Sequence, residues 1–240
     1  MEFEHPGSKI VELSPHALVM VAGATNDGMR LVHEAAASMG GSSGDIPALA
    51  EDLGQRYAEA RRHRAEQLIL ETRGLDFQSY YGMHNGLSPQ VVMLVDDALQ
   101  KYDFGVELLL AGVDDVGAHV HTNGNPGGGN QAHDSIGWTA IGSGAIHVLP
   151  SMAGFVHSPT AGYGQTLFRV YASKRRAEVA PGVGHETEIA VINRDGTKRL
   201  SETEIQELDS IYERFVSMTN TELQKQMDEF DPEGENNDAD

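Results

Sequence analysis

The chain has 240 residues, of which 40% are hydrophobic and none is cysteine. This is enough apolar material for one buried core, and the lack of cysteine excludes disulfides and thiol catalysis. Asp and Glu number 36 against 17 Lys and Arg, which gives a formal net charge of -19. Because an acidic surface repels phosphate backbones, nucleic acid is not an expected partner.

The cellular setting is predicted from the same composition. No run approaches the roughly 20 apolar residues of a membrane span, and the start, "MEFEHPGSKIVEL", lacks the basic region and apolar stretch of a signal peptide. We therefore expect a cytoplasmic protein without membrane contacts. Only five of the 17 basic residues are lysine, and scarce lysine with abundant carboxylates suits a halophilic source, the alternative being an ordinary acidic protein with an acidic tail.

The first half of the chain predicts one strand followed by helices. "ALVMVAGAT" has the length and apolar content of a strand, and "NDGMRLVHEAAASM" follows as a helix capped by Asn26 or Asp27. Asp45 and Pro47 then open a long helix that reaches about Leu70. Its predicted inward residues, at helical spacing, are Ile46, Leu49, Leu53 and Tyr57.

The middle of the chain predicts a helix and three strands. "TRGLDFQSYYGMHNGLSPQ" is typical of an irregular connection, and Ser88 with Pro89 begins the next helix. The three predicted strands are "FGVELLLAGVDD", "AHVHT" and "SIGWTAIGSG". "NGNPGGGNQ", between the last two, lacks the Gly-Lys-Ser/Thr of a phosphate loop and predicts a hairpin loop.

The last part of the chain predicts a helix, a strand and a final helix. "TAGYGQTLFRVYASKRRAEVA" is helical, "ETEIAVIN" is a strand, and "RDG" is a tight turn. Ser201 and Glu204 form a capping box at the start of the final helix. Strands joined by hairpins, with helices grouped between them, predict an α+β domain that layers an antiparallel sheet against helices. We expect one domain over residues 1–227 and a disordered acidic tail over residues 228–240.

Several of these segments, taken together, resemble 20S proteasome subunits. "GVELLLAGVDDVGAHVH", "WTAIGSGAIHVLPSM" and "EIAVINRDGTKRLSETEIQEL" are similar, in order, to that family's central strand pair, its Gly-Ser-Gly turn, and its last strand, turn and helix. "SKIVELSPHALVMVAGATNDGMRLVHEAA" resembles the strand and first helix that precede them. The resemblance covers most of residues 8–208 and implies the four-layer αββα fold of N-terminal-nucleophile hydrolases. It also implies partners: other proteasome-like subunits in a homo- or hetero-oligomeric ring.

The catalytic residues of that family have no counterpart here. In the family, an amino-terminal threonine attacks a polypeptide substrate, its own α-amine acts as the base, and a lysine and an aspartate assist. The resemblance begins at about Ser8, after the family's segment for these three residues. The aspartate and serine expected near residues 180–184 are also missing from "APGVGHETEIAVI". The resemblance therefore implies a non-catalytic or scaffold subunit.

Ser143 is the one catalytic candidate that the resemblance supplies, with Gly142 and Gly144 forming the backbone turn around it. The same turn occurs in non-catalytic members, so a structural role is favoured. Two alternatives remain: an active threonine-type peptidase whose true start lies upstream of Met1, and a small-molecule amidase on the same fold. Ser8, which follows Gly7, and Thr25, at a strand end, are assigned structural roles.

Histidines raise the question of a metal. His119 and His121 alternate along one strand and so share a face, with His133 and Asp134 close in sequence. Exposed histidines on the strand of an acidic protein are the simpler interpretation, so we expect no metal and no cofactor. For the other polar candidates, Asp96 and Asp97 are predicted to lie on a solvated helix face, and His147 and His157 receive no role.

Overall fold

The computed structural model describes residues 8–39, 44–127 and 129–230. The strands of the described part are β1 (Ile10–Ser14), β2 (Ala17–Gly23), β3 (Val106–Val113), β4 (Ala118–Asn123), β5 (Gln131–Ala132), β6 (Ala190–Asn193) and β7 (Gly196–Arg199). The α-helices are α1 (Thr25–Met39), α2 (Ile46–Ala65), α3 (Phe77–Met83), α4 (Pro89–Lys101), α5 (Ala145–Gly154), α6 (Tyr163–Ala177) and α7 (Glu202–Glu229). No helix in these ranges combines the length and the apolar content needed to cross a membrane.

Strands β1 to β5 form one antiparallel sheet in chain order. Side chains alternate between its two faces, and one face is covered by α1 and α2. The main core lies between them, with Val19, Val21, Leu108 and Leu110 from the sheet and Val32, Leu49, Leu53 and Tyr57 from the helices. The four predicted inward residues of the long helix are all buried, which confirms that prediction.

The opposite face of the sheet is covered only in part. β6 and β7 form a two-stranded antiparallel hairpin that packs on β3. The Thr197 hydroxyl donates to the carbonyl of Pro15 at 3.0 Å, and the Arg199 guanidinium donates to the carbonyl of Ile10 at 3.0 Å. These bonds hold the hairpin against the β1–β2 end of the sheet.

Helices α5, α6 and α7 pack in succession, α5 on α6 and α6 on α7. The Ser173 hydroxyl, fully buried, donates to the Ser151 hydroxyl at 2.9 Å, and Arg176 also donates to Ser151 at 3.1 Å. Ser201 and Glu204 form the predicted capping box, with both reciprocal hydrogen bonds present. The molecule is thus a mixed α and β domain with antiparallel sheets, in agreement with the coarse class that the sequence predicts.

Some predicted elements are wrong. Residues 135–144, predicted as a strand, form turns and irregular chain and pair with no strand of the described part of the chain. The irregular connection after Arg73 contains α3, which Asp76 caps by accepting from the Ser79 N–H at 2.6 Å. The first helix begins at Thr25, before the predicted caps Asn26 and Asp27.

Other differences concern the chain termini and short strands. β1 and β7 were not predicted as strands, because each is short and flanks a turn. β5 begins at the end of the segment predicted as a hairpin loop. Helix α7 continues to Glu229, two residues into the predicted tail, and residues 231–240 of that tail lie outside the described residues. Residues 1–7 also lie outside them.

Candidate functional site

A cleft of about 1190 Å³ separates the uncovered face of the sheet from α5 and α6. The sheet contributes Met20, Ala22, Glu107 and Thr122 to its walls. The opposite wall includes Ser143, Val148 and Lys174. This cleft contains the serine that the sequence resemblance singles out, and it mixes apolar walls with a few polar groups, as ligand sites do.

The Gly142-Ser143-Gly144 turn begins α5 at one end of the cleft. Gly142 has a φ of 82°, which residues with a Cβ rarely adopt. The N–H of Ala145 donates to the Gly142 carbonyl at 3.0 Å, and the N–H of Val148 donates to the Gly144 carbonyl at 3.1 Å. The Gly142 N–H itself donates to the Glu107 carboxylate at 2.6 Å, so the turn is fixed to β3. This turn was predicted to join a strand to a helix. The helix is present, but the segment before the turn pairs with no strand of the described residues.

Ser143 is exposed in the cleft beside a second loop. A Cβ placed on Gly182 would lie 3.7 Å from the Ser143 hydroxyl oxygen. That hydroxyl makes no hydrogen bond with any residue of the described part of the chain. A serine hydroxyl without an adjacent base is a weak nucleophile. The described residues therefore place Ser143 at a cleft without activating it.

Lys174 forms a fixed part of the cleft wall. Its ammonium donates to Glu178 at 2.7 Å, to the Gly184 carbonyl at 3.0 Å and to the His185 carbonyl at 2.9 Å. These contacts use all three N–H donors of the lysine. The ammonium cannot take a proton, so Lys174 in this arrangement ties the 184–185 loop to α6 and does not serve as a base for Ser143.

The Glu178 carboxylate is the centre of this small network. Burial by itself would raise the pKa of Glu178, but hydrogen bonds from Lys174 and His185 and the nearby charge of Arg175 outweigh it and hold the pKa below its ordinary value. His185 lies 2.9 Å from the carboxylate, and the Glu178 side chain is only 8% exposed. The ionised carboxylate thus stabilises the loop that faces Ser143.

No family model matches this chain, and no curated protein matches it either. Glu107 and Lys174, which shape the cleft, were missed by sequence reasoning. Glu107 is a lone carboxylate within an apolar strand, and Lys174 precedes Glu178 by four residues, the spacing of a helical ion pair. Both signals were present in the sequence, but neither indicates a cleft without the fold.

The remaining single candidates have structural contacts. Ser8 lies at the exposed end of the chain segment before β1, where it donates to Glu188 at 2.6 Å and accepts from Arg199 at 3.2 Å. Thr25 lines the cleft, but its hydroxyl donates to the Gly23 carbonyl at 3.1 Å. Both hydroxyls are engaged in hydrogen bonds with nearby chain segments, and the structural roles assigned to Ser8 and Thr25 stay predictions.

The other polar candidates do not form sites of their own. Asp96 accepts from the Tyr80 hydroxyl at 2.8 Å, while Asp97 pairs with Lys101. The two carboxylates are each about half exposed, as the prediction of a solvated helix face requires. Burial, together with the charge of Arg169, lowers the pKa of His157.

The two histidines of β4, His119 and His121, are less exposed than the sequence predicts. They face α2, on the covered side of the sheet, and His121 is only 4% exposed. The prediction of exposed histidines is therefore wrong for this pair. His133 lies apart from them, since its Nε2 is 2.8 Å from the Thr122 hydroxyl and both residues line the cleft. One ring nitrogen from each of His119 and His121 and one carboxylate oxygen of Asp134 lie within 4.8 Å of one another.

Proposed function

We propose that this chain is a non-catalytic, scaffold subunit of a proteasome-like particle of the N-terminal-nucleophile hydrolase superfamily, which assembles into an oligomeric ring and takes part in intracellular proteolysis. The observation that carries this proposal is the Gly142-Ser143-Gly144 turn. It opens a helix beside a cleft, facing an antiparallel sheet, and no described residue activates its serine. That is the frame of a hydrolytic site without its nucleophile and base.

The arrangement of helices and strands supports the fold part of the proposal. Helices α1 and α2 pack on one face of the five-stranded sheet, and the β6–β7 hairpin packs on β3. Helices α5 and α6 lie across the cleft from the other face of the sheet. This arrangement is compatible with an αββα sandwich. Residues 139–145 and 182–184 line the cleft opposite the sheet.

The state of the polar groups in the cleft supports the scaffold part. Ser143 has no base, the three donors of Lys174 are occupied, and Glu107 accepts from a backbone N–H. Acyl transfer needs a nucleophile within hydrogen-bond reach of a base. Ser143, Lys174 and Glu107 form no such pair with one another, because Lys174 holds a loop and Glu107 holds a turn.

Exposed apolar side chains support assembly with other subunits. Residues 217–230 are exposed throughout; the second half of α7 carries Met218, Leu223 and Met227, and Phe230 follows it directly. Helix α4 exposes Met93 and Leu94, each at 66%. Clustered apolar side chains on a surface mark contacts with other proteins. Burial of these helix faces between neighbouring subunits would remove them from water.

Two measurements on protein purified from its own cells at several molar salt test the proposal. We expect sizing with light scattering to give a particle of many subunits, and a monodisperse monomer would overturn the ring. Intact mass and amino-terminal sequencing test the scaffold role. A chain that begins at Met1, or at Glu2 after methionine removal, agrees with it. A free amino-terminal threonine preceded by extra encoded residues would instead identify an active peptidase.

A further inference from the structure

The pairing of β4 with β5 places six side chains on the face of the sheet that α2 partly covers, with Asn130, Ala132 and Asp134 exposed at its edge. His121 pairs with Ala132, so residues 119, 121 and 123 of β4 share a face with residues 130, 132 and 134 around β5. Five of these six residues are polar: His119, His121, Asn123, Asn130 and Asp134. The two buried members, His121 and Asn123, need an explanation, because buried polar atoms are costly unless they are paired.

His121 has one ring nitrogen in use and one free. Its Nδ1 lies 2.8 Å from the Asn130 side-chain oxygen, which can only accept, so Nδ1 carries the proton. The other nitrogen, Nε2, is buried and has no hydrogen-bond partner among the described residues. Asn123, two residues along the same face, also has an unpartnered buried amide. Because buried polar atoms are nearly always paired, the free lone pair of His121 points to a missing ligand.

His119 is held by carboxylates on both sides. Its Nε2 lies 3.1 Å from Asp114, and its Nδ1 lies 2.7 Å from Asp134. The Asp114 carboxylate is fixed by the backbone N–H groups of Ile46, Val116 and Gly117. A carboxylate that accepts from the second nitrogen of a histidine is the usual support for a metal-bound imidazole. Asp114 is therefore placed to orient His119 as a ligand.

The distances agree with a metal site whose ligands shift slightly on binding. One atom from each of His119, His121 and Asp134 lies within 4.8 Å of the other two. Zinc with nitrogen and oxygen ligands at about 2.0–2.2 Å separates neighbouring ligand atoms by roughly 3.4 Å. Shifts of about an ångström would open the 2.7 Å contact between His119 and Asp134 and bring His121 into range. The Asp134 side chain is 37% exposed, which gives the ion a route from solvent.

We propose that His119, His121 and Asp134 bind a divalent transition-metal ion such as Zn²⁺. The ligands are Nδ1 of His119, Nε2 of His121 and a carboxylate oxygen of Asp134, with water at the fourth position. Two imidazoles and one carboxylate suit zinc, cobalt or nickel and not magnesium or calcium, which prefer oxygen ligands. Binding releases to solvent the proton that His119 shares with Asp134. The ion then ties β4 to the segment after β5.

Cobalt binding tests this site directly. Full-length chain without a histidine tag is stripped with a chelator, and Co²⁺ is added while the visible absorption of the metal is recorded. We expect saturation at one ion per chain, a spectrum of tetrahedral intensity, and displacement by Zn²⁺. Absence of saturable binding would overturn the proposal.

Variants identify the ligands. Asp134→Asn keeps an oxygen to accept the Val120 N–H, which bonds Asp134 at 2.8 Å, and so is expected to fold. It and His121→Gln should bind Co²⁺ at least tenfold more weakly than the parent chain, as loss of a ligand requires. The control is His133→Gln, which changes a histidine of the same hairpin on the opposite face and should bind as the parent does. Unchanged binding by His121→Gln would place the ion elsewhere and overturn the proposal.

A second readout separates lost binding from lost folding. Zn²⁺ should raise the melting temperature of the parent chain and of His133→Gln, because an ion that binds only the folded state stabilises it. It should not raise that of Asp134→Asn, whose circular dichroism should match the parent. An equal shift for all three proteins would contradict the assignment.

Discussion

The carboxylate of Glu107 accepts a hydrogen bond from the backbone N–H of Gly142 at a distance of 2.6 Å. This bond joins a central strand of the sheet to the turn that presents Ser143. Gly142 has a φ of 82°, and a Cβ there would lie 3.1 Å from the Cβ of Ala22. The shape of the cleft therefore depends on the glycine and the carboxylate more than on the serine between the two glycines.

Gly142→Ala and Ser143→Ala form a matched pair that tests whether the turn depends on the glycine more than on the serine. We expect Gly142→Ala to lower the free energy of unfolding by about 1–2 kcal/mol, because a residue with a Cβ pays that cost at positive φ. Ser143 is exposed and its hydroxyl makes no hydrogen bond with the described residues, so Ser143→Ala should change stability by less than about 0.5 kcal/mol. Denaturant unfolding in concentrated salt measures both. Equal losses would show that the serine also holds the turn.

The Lys174 network predicts a second effect of mutation. Lys174→Met removes three hydrogen bonds and leaves the mostly buried Glu178 with only Arg175 and His185 beside it. Because Lys174 is about a quarter exposed, solvent screens part of this loss, and we expect a cost of about 2 kcal/mol. The 184–185 loop should also become more sensitive to proteolysis. The control is Lys101→Met, whose exposed pair with Asp97 should contribute little. Equal stability of the two variants would contradict the role given to Lys174.

Glu178 gives the stability of the domain a dependence on acid pH. The folded-state pKa of this carboxyl is below its ordinary value of 4.5, because its hydrogen bonds and charged neighbours outweigh burial. Its contribution to stability is therefore complete above pH 4.5 and is lost as the pH falls through the folded-state pKa. The stability difference between the parent chain and Glu178→Gln should shrink on acidification. A difference that stays constant from neutral pH to the acid transition would exclude this carboxyl as a contributor.

The sequence predicts the helices and central strands well, for reasons that are local. Asp45, Ser88 and Ser201 are side-chain caps, and each one begins the helix predicted from it. A continuous apolar run, such as that of β3, is typical of a strand that packs against other elements on both faces. These features depend on a few neighbouring residues, so the sequence shows them directly.

The cleft and the histidine group were harder to predict because they depend on long-range pairing. Glu107 meets Gly142 across 35 residues, and nothing in either segment indicates the partner. The side of the sheet that His119 and His121 face is set by α2, which lies more than 50 residues earlier in the chain. Alternation along the strand showed that the two histidines share a face, but not that the face is the covered one.

Tyr57 predicts a loss of stability at high pH. Burial, assisted by the charge of Asp103, raises the pKa of Tyr57 to about 12, while its hydroxyl donates to the Val106 carbonyl at 2.8 Å. The folded state thus keeps the phenol neutral after the unfolded chain begins to ionise near pH 10. Stability should fall between pH 10 and 12, by as much as about 3 kcal/mol from this group.

Tyr57→Phe is the control for this effect. At neutral pH it should cost about 1 kcal/mol, the net value of one buried hydrogen bond. Because the phenylalanine does not ionise, the variant should approach and then exceed the parent chain in stability as the pH rises past 10. Parallel stability curves for the two proteins over that range would contradict a raised pKa at Tyr57.

We propose that this domain is one subunit of a ring and that its cleft lacks an amino-terminal threonine nucleophile. Electron microscopy of the particle purified from its own cells in concentrated salt tests this proposal most directly. We expect rings in which α4 and the exposed half of α7 lie at subunit contacts, and in which density at the Ser143 cleft shows no amino-terminal threonine. Single unassembled domains, or rings with a threonine at the cleft of this chain, would contradict it.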